Sequence, residues 1–201
     1  MQINIFSEIN TIKMQLTFSS FDKTITADFK QLPFEKLLFF GTWCSEYLYT
    51  KYAQYLKEMG DDEGYEILTN AISYLWATVD KPSLIEESVV DEHIDNLHTI
   101  DIDNFDLVEV NDTGIMKVME CIESALVYIE EKNYEFIVAS AYFPLDVIDV
   151  IMTNELGLDT NDPNKHIEHP LLKEEFDAQF KLIEYLKTHD GLTSADKHIF
   201  R

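Results

Sequence analysis

Apolar residues recur along this chain at steps of three and four almost throughout, which is the spacing of one face of an α-helix. The longest stripe is Leu37, Phe40, Cys44, Tyr47, Leu48, Tyr52, Tyr55 and Met59, and Gly60 stops it. A second, Leu68, Ala71, Ile72, Leu75, Trp76 and Val79, ends before Pro82. A third runs through Ile115, Val118, Met119, Ile122, Ala125, Leu126 and Ile129, with Asp112 or Thr113 predicted as its N-cap. The last, Leu172, Phe176, Gln179, Phe180, Ile183 and Leu186, begins after Pro170 and is closed by Gly191. Between these lies "NYEFIVASAYFPLDVIDVIMTNELG", which reads as a helix interrupted at Pro144, because proline removes a backbone donor.

At the start of the chain, Phe21, Ile25, Phe29 and Leu32 suit a helix after Ser20, whereas Met14, Leu16 and Phe18 alternate as a strand would. Residues 1–20 are therefore read as irregular or extended, with Met14 an alternative start. Loops are predicted at 60–64, 80–84, 99–111 and 157–169, and no repeat or Gly/Ser linker divides the chain. The expected fold is all-α, one compact domain over residues 1–201. Its five to eight helices bury their stripes against one another in bundle-like or orthogonal packing.

Charge adds the first functional constraint. The chain of 201 residues carries a formal charge of -23. Residues 1–60 hold six lysines and six acidic side chains, so the whole deficit falls on residues 61–201. The stretch from Ser83 to Met116, "SLIEESVVDEHIDNLHTIDIDNFDLVEVNDTGIM", has ten carboxylates and no Lys or Arg. Such a balance argues against nucleic acid, since each phosphate contact needs a cation, and against anionic membrane surfaces. The only arginine is Arg201, the last position, which leaves no internal guanidinium to grip a phosphate or carboxylate with two prongs. No leader and no run near 18 apolar residues is visible, so a cytoplasmic protein without a membrane span is expected. Cys44 and Cys121 each sit in an apolar helical pattern and read as buried thiols.

The acid-rich stretch does not fit known ion chemistry. "DIDNFDLVEVND" places oxygens at Asp101, Asp103, Glu109 and Asp112, but an EF-hand loop needs a small oxygen ligand and then glycine where Phe105 and Asp106 stand. Phe105 is better suited to anchor the segment to the core. "LDTNDPNKHIEHP" offers Asp159, Asn161 and Asp162 but puts Pro163 at a ligand position. His166 with His169, and Asp95 with His98, lack the further ligands of a transition-metal site. No nucleophile elbow, phosphate-cradling glycine loop or His-Glu-x-x-His pair occurs, and no metal or cofactor is expected. Glu46 and Glu175 stand out because each falls near the apolar face of its helix. Buried carboxylates need hydrogen-bond donors, and Tyr49 and Tyr52 are close enough in sequence to Glu46 to be expected in that role.

The stretch "TWCSEYLYTKYAQYLKEMGDDEGYEILTNAISYLWATV" resembles a bacterial family catalogued as domain of unknown function 416. Glu46, Tyr49 and Tyr52 keep the Glu and Tyr spacing of that family's Cys-Glu-Arg and Pro-Asn-Tyr pattern, and Trp76 matches the end of its Leu-Asp-x-x-Trp. Phe105, Asp106 and Leu107 repeat its Phe-Asp-Leu. Glu175, Asp177 and Gln179 stand in step with its Glu-Trp-Asp-x-Gln-Trp. Tyr47 replaces the arginine, Thr50 and Lys51 replace Pro-Asn, and Ser73 replaces the aspartate before Trp76. The resemblance covers about residues 32–188 and implies an all-helical cytoplasmic protein with no established activity.

From these features a non-enzymatic acidic binding protein is expected, most concretely an immunity or antitoxin protein that neutralises a basic toxin such as a nuclease. Glu86, Glu87, Asp91, Glu92, Asp95, Asp101, Asp103 and Asp106 are the expected contact residues. The alternatives are a small-molecule enzyme with a cleft of Glu46, Tyr52 and Glu175, and a homodimeric module suggested by the Phe and Tyr content. Acidity that merely keeps the protein in solution explains the charge equally well.

Overall fold

The computed structural model describes residues 17–103, 105–159, 161–162 and 164–201. Of the strand-like alternation, Met14 and Leu16 lie outside the described residues, as does Pro163 of the second acid loop, whereas Phe18 is the first residue of a helix that begins ahead of the expected start after Ser20. Among the described residues eight α-helices follow one another: α1 (Phe18–Phe29), α2 (Phe34–Tyr52), α3 (Gln54–Met59), α4 (Asp62–Asp80), α5 (Glu87–Leu97), α6 (Val110–Glu131), α7 (Tyr134–Val150) and α8 (Pro170–Thr188). Short 3₁₀ turns at Pro82–Leu84 and Ser194–Asp196 and a π-turn at Ile151–Glu155 complete the described residues. The fold class is the all-α domain that the periodicity predicts.

Helix α2 is the axis of the molecule. Its residues Leu37 to Glu46 are all buried, so it is apolar on nearly every side rather than on one stripe. That pattern belongs to a helix surrounded by others. Helices α6 and α7 pack on it and on each other, α4 and α8 flank it, α5 lies on α4 and α6, and α1 covers α7. One continuous core joins side chains from α1 through α8.

Local signals explain most helix ends. Thr17 caps α1 in a reciprocal pair, its side chain accepting from Ser20 N at 3.0 Å while its own N–H donates to Ser20 Oγ at 2.8 Å. Asp61 Oδ1 accepts from Gly64 N at 2.8 Å and starts α4, and Pro170 opens α8. The first stripe divides at Ala53, where the Leu56 N–H bonds the Ala53 carbonyl in a tightened turn, before Gly60 ends it at φ 89°. The tightening rotates the face, so Leu56 is buried and Met59 is exposed, the reverse of the sequence expectation.

Three further expectations are corrected. Pro144 does not divide α7, which runs through it, and regular geometry is lost instead at the π-turn Ile151–Glu155. Proline leaves the Ser140 carbonyl without its N–H partner, and the Cys121 thiol of α6 donates weakly to that oxygen at 4.0 Å. The N-cap of α6 is Glu109, not Asp112 or Thr113. These two reach back into the preceding loop, Asp112 Oδ2 accepting from Asp106 N at 2.8 Å and Thr113 Oγ1 donating to the Leu107 carbonyl at 2.9 Å. Finally, Tyr134–Glu155 is long and apolar enough to cross a membrane, with mean hydropathy 1.6. In the fold 44% of that apolar window is buried, with Ile137, Ala141, Leu145, Val147 and Ile148 in the interior.

Tyr52 takes its place through packing. A Cβ on Gly114 would lie 2.4 Å from the Tyr52 ring, so α6 can approach the end of α2 only where it has no side chain. Gly114→Ala is expected to destabilise the protein by about 1–3 kcal/mol, the usual range for overpacking. The same change should cost less in a Tyr52→Ala background, and urea denaturation of the four proteins in that cycle measures the difference.

Candidate functional site

Helix α5 and the loop after it present the eight predicted contact acids to solvent. Glu86 caps α5 without a side-chain bond, Glu87, Asp91, Glu92 and Asp95 lie on the helix, and Asp101, Asp103 and Asp106 lie in the loop. All eight are exposed. No described lysine, arginine or histidine forms an ion pair with any of them. Two serve local turns, Asp101 accepting from Asp103 N and Asp106 from Val108 N. Lost hydration, and then the neighbouring carboxylates of Asp91 and Glu87, hold the Glu130 carboxyl of α6 above its ordinary range. Like charges are thus crowded where α5 meets α6. Of the seven exposed large apolar side chains among the described residues, four, Leu84, Ile102, Leu107 and Val108, fall in the same stretch of chain. Phe105 packs partly buried against the core, as expected of an anchor.

Among the described residues no three His, Cys, Asp or Glu side chains are placed to share a metal ion. His98 Nε2 meets Glu123 Oε1 at 3.0 Å, and His166 Nε2 meets the Asp159 carbonyl at 3.1 Å. Both thiols are free and buried, and burial drives them up, Cys121 to about 12.

The second constellation is built by helix periodicity. Trp43 and Tyr47 stand four apart on α2, Glu46 lies beside them, and Glu175 and Gln179 stand four apart on α8. Glu46 and Glu175 are both buried. Tyr49 and Tyr52 do not serve them. The Tyr49 hydroxyl pairs with Thr69 Oγ1 at 2.8 Å and Tyr65 at 3.3 Å, and Tyr52 packs on Gly114. Glu46 Oε2 instead accepts from Trp76 Nε1 at 2.8 Å, and its Oε1 pairs with Lys197 Nζ at 2.8 Å. Glu175 Oε1 accepts from Gln179 Nε2 at 2.7 Å and from the guanidinium of Arg201. Gln179 Nε2 also donates to the Ala141 carbonyl, while its Oε1 is buried without a partner. Asp177 makes only a surface pair with Lys173 at 3.4 Å.

Arg201 is the residue that sequence reasoning discounted. Its side chain is 10% exposed, and its guanidinium carbon lies 3.6 Å from the ring centroid of Trp43 and 3.6 Å from that of Tyr47. The position at which the resembled pattern has arginine is Tyr47, and here a guanidinium reaches that ring from the far end of the chain. Trp43 Nε1 donates to the Ile199 carbonyl at 3.0 Å and holds the same segment. A cavity of about 430 Å³ opens beside Arg201, lined on one side by Tyr47, Lys51, Tyr52 and Glu175 and on the other by Val147, Ile148 and Ile151. Glu46 lines a smaller neighbouring hollow with Lys197, and Tyr47, Lys51 and Arg201 border both. The expected cleft of Glu46, Tyr52 and Glu175 is therefore two hollows with Arg201 between them. Burial holds the Lys51 amine below its ordinary range and pushes the Tyr47 and Tyr52 hydroxyls up to about 12.

No family model matches the chain, and no curated protein or solved structure matches it at a significant level.

Removing one partner of a buried ion pair leaves an uncompensated charge, so Arg201→Ala should cost about 3–5 kcal/mol in urea denaturation, and Arg201→Ala with Glu175→Gln should recover much of that loss. At the acid face the sign runs the other way. Glu130 binds its proton more tightly in the folded state, which gains stability as pH falls from neutral toward the ordinary carboxyl value of 4.5. His93, held below 6.5 first by burial, opposes this gain as pH falls through that value. The difference between Glu130→Gln and the parent isolates the carboxyl. It should be a rise in Tm of about 1–2 °C at neutral pH that shrinks toward pH 4.5 and in about 0.5 M salt.

Proposed function

We propose that this protein is a non-enzymatic binding protein whose α5 face docks a basic protein. Its most concrete form is an immunity or antitoxin protein in the cytoplasm that covers the cationic active site of a toxin such as a nuclease. The observation that carries the reading is the coincidence of eight exposed carboxylates outside any described ion pair with exposed Leu84, Ile102, Leu107 and Val108. Protein interfaces combine an apolar centre with a polar rim. Charge of one sign gathered on one face raises the rate of encounter with a surface of the other sign. Kinship with the domain-of-unknown-function 416 family is part of the same proposal. Its support is that four of the residues carrying the resemblance meet in pairs, Glu46 with Trp76 and Glu175 with Gln179.

The small-molecule reading has one observation in its favour, the cavity of about 430 Å³ with Tyr52 and Glu175 on its wall. Against acid–base work there, Glu175 is already held by a guanidinium and an amide. Of the aromatic residues that suggested a homodimer, Phe21, Phe29, Phe39, Phe40 and Phe176 are among the most buried side chains, whereas others such as Phe136, Phe143 and Tyr134 are only partly covered.

Affinity capture from the host at low and at high salt tests the proposal. A basic protein should be retained at low salt, released at high salt, and lost in both Asp91→Lys/Asp95→Lys and Leu107→Ser/Val108→Ser. If the captured protein is a nuclease, stoichiometric addition should block its cleavage of DNA or RNA. Retention of no basic protein at any salt, or retention that ignores both double variants, would overturn the reading.

A further inference from the structure

The segment that follows α8, residues 189–201, contains no buried residue, yet it provides the cations for the buried carboxylates of Glu46 and Glu175. Leu192 and Ile199 rest only partly covered against the core, and Ser194 is tied to Asp80 through its N–H at 2.7 Å and its hydroxyl at 2.6 Å. This is a strap on the surface with one well-covered side chain, Arg201. Segments with few buried contacts open at lower free energy than the core they lie on. The groups beneath Arg201 are core residues. Trp43 and Gln179 are fully buried, and Glu175 is 4% exposed.

We infer that Trp43, Tyr47 and Glu175 form a receptor for guanidinium groups, and that Arg201 is its intramolecular occupant. The two rings lie four residues apart on α2 and take a planar cation between them, while the carboxylate on α8 accepts from it. This is the arrangement that suits a guanidinium better than a compact ammonium, because only the planar ion stacks on both rings. Arg201 satisfies the site incompletely, donating to the described residues through one of its five N–H groups, whereas a free guanidinium can turn its two-pronged edge to the carboxylate. The neighbouring cavity of about 430 Å³ gives room for the body of a ligand whose guanidinium takes the place of Arg201. When the strap lifts, Glu175 is left buried and unpaired, so the open state favours any guanidinium that arrives, whether a free small molecule or an arginine in a polypeptide. None of the receptor residues lies on α5, so this inference does not depend on the acidic face.

Chemical rescue tests it in the full-length chain. Arg201→Ala vacates the cage, and Arg201→Lys, which keeps a cation on the strap, is the host should the alanine variant not fold. Methylguanidinium at millimolar concentration should raise the Tm of the vacated variant in a saturable way and shift the indole N–H resonance of Trp43, identified by comparison with Trp76→Phe. Methylammonium should do neither. The parent protein should not respond over the same range, because its cage is occupied, and adding Glu175→Gln to the host should abolish the response. Repeating the titration with an acetylated, amidated Gly-Arg-Gly peptide separates the two sources. Binding of methylguanidinium alone assigns a small-molecule site, and binding of both assigns a site that also takes arginine in a chain. No saturable response to methylguanidinium, an equal response to methylammonium, or an equal response of the parent would overturn the inference.

Discussion

Three of the described carboxylates are buried among largely apolar side chains: Asp112 accepts the Asp106 N–H at 2.8 Å, and the two glutamates, Glu46 and Glu175, must each be matched by a cation and by hydrogen-bond donors for the fold to be tolerable. The chain meets this requirement in the same way twice. A donor from the core, Trp76 for Glu46 and Gln179 for Glu175, satisfies one part, and a cation from residues 189–201 satisfies the rest. The core and its surface strap are thereby linked electrostatically although they share little apolar area. Attraction of this kind is specific in geometry but weak in net stabilisation, since desolvation offsets most of it. A strap held so is well defined when closed and inexpensive to replace by an equivalent cation.

Helix α2 carries the consequences to the rest of the fold. One face meets α6 and α7, where Gly41 offers its carbonyl to Ser45 at 3.0 Å and to the Cys121 thiol at 4.0 Å. Another presents Trp43, Glu46 and Tyr47 toward the strap. No single amphipathic stripe could do both, which is why nearly the whole of Leu37–Glu46 is buried. Gly114 completes the packing, because the end of α6 must clear the Tyr52 ring that closes α2.

The helical class and the position of most helices were legible from periodicity, because amphipathic stripes are a local property of the chain. The division at Ala53 was not, since one tightened turn leaves the three-and-four spacing intact while rotating the face by enough to bury Leu56 and expose Met59. Pro144 was misjudged for a different reason. The lost hydrogen bond is real, but α7 continues through it, packed on α2 and α6, with the Cys121 thiol approaching the orphaned carbonyl. Glu46 and Glu175 were recognisable as acids on apolar faces, but their partners were not, because Lys197 and Arg201 lie 151 and 26 positions away and no local pattern connects them. The signal that could have found Arg201 is compositional. A sole arginine, in a chain that uses lysine everywhere else, has a reason to be planar and permanently charged.

The charge distribution reads differently once the interior is known. Cations are scarce here, and several are committed to the interior or to pairs that tie helices together, such as Lys187 with Asp28 of α1 at 2.9 Å and Lys117 with Asp146 of α7 at 3.1 Å. What remains on α5 and the loop after it is an excess of acid that no described cation relieves. Solubility alone would be served by acids scattered over the surface, each far from the next, whereas those of α5 are close enough to disturb the Glu130 carboxyl on the adjoining helix. Repulsion retained at one place, beside apolar side chains left in water, is a cost that folding does not require. A surface of opposite charge covering it would relieve that repulsion, which is the physical ground of the proposed docking role.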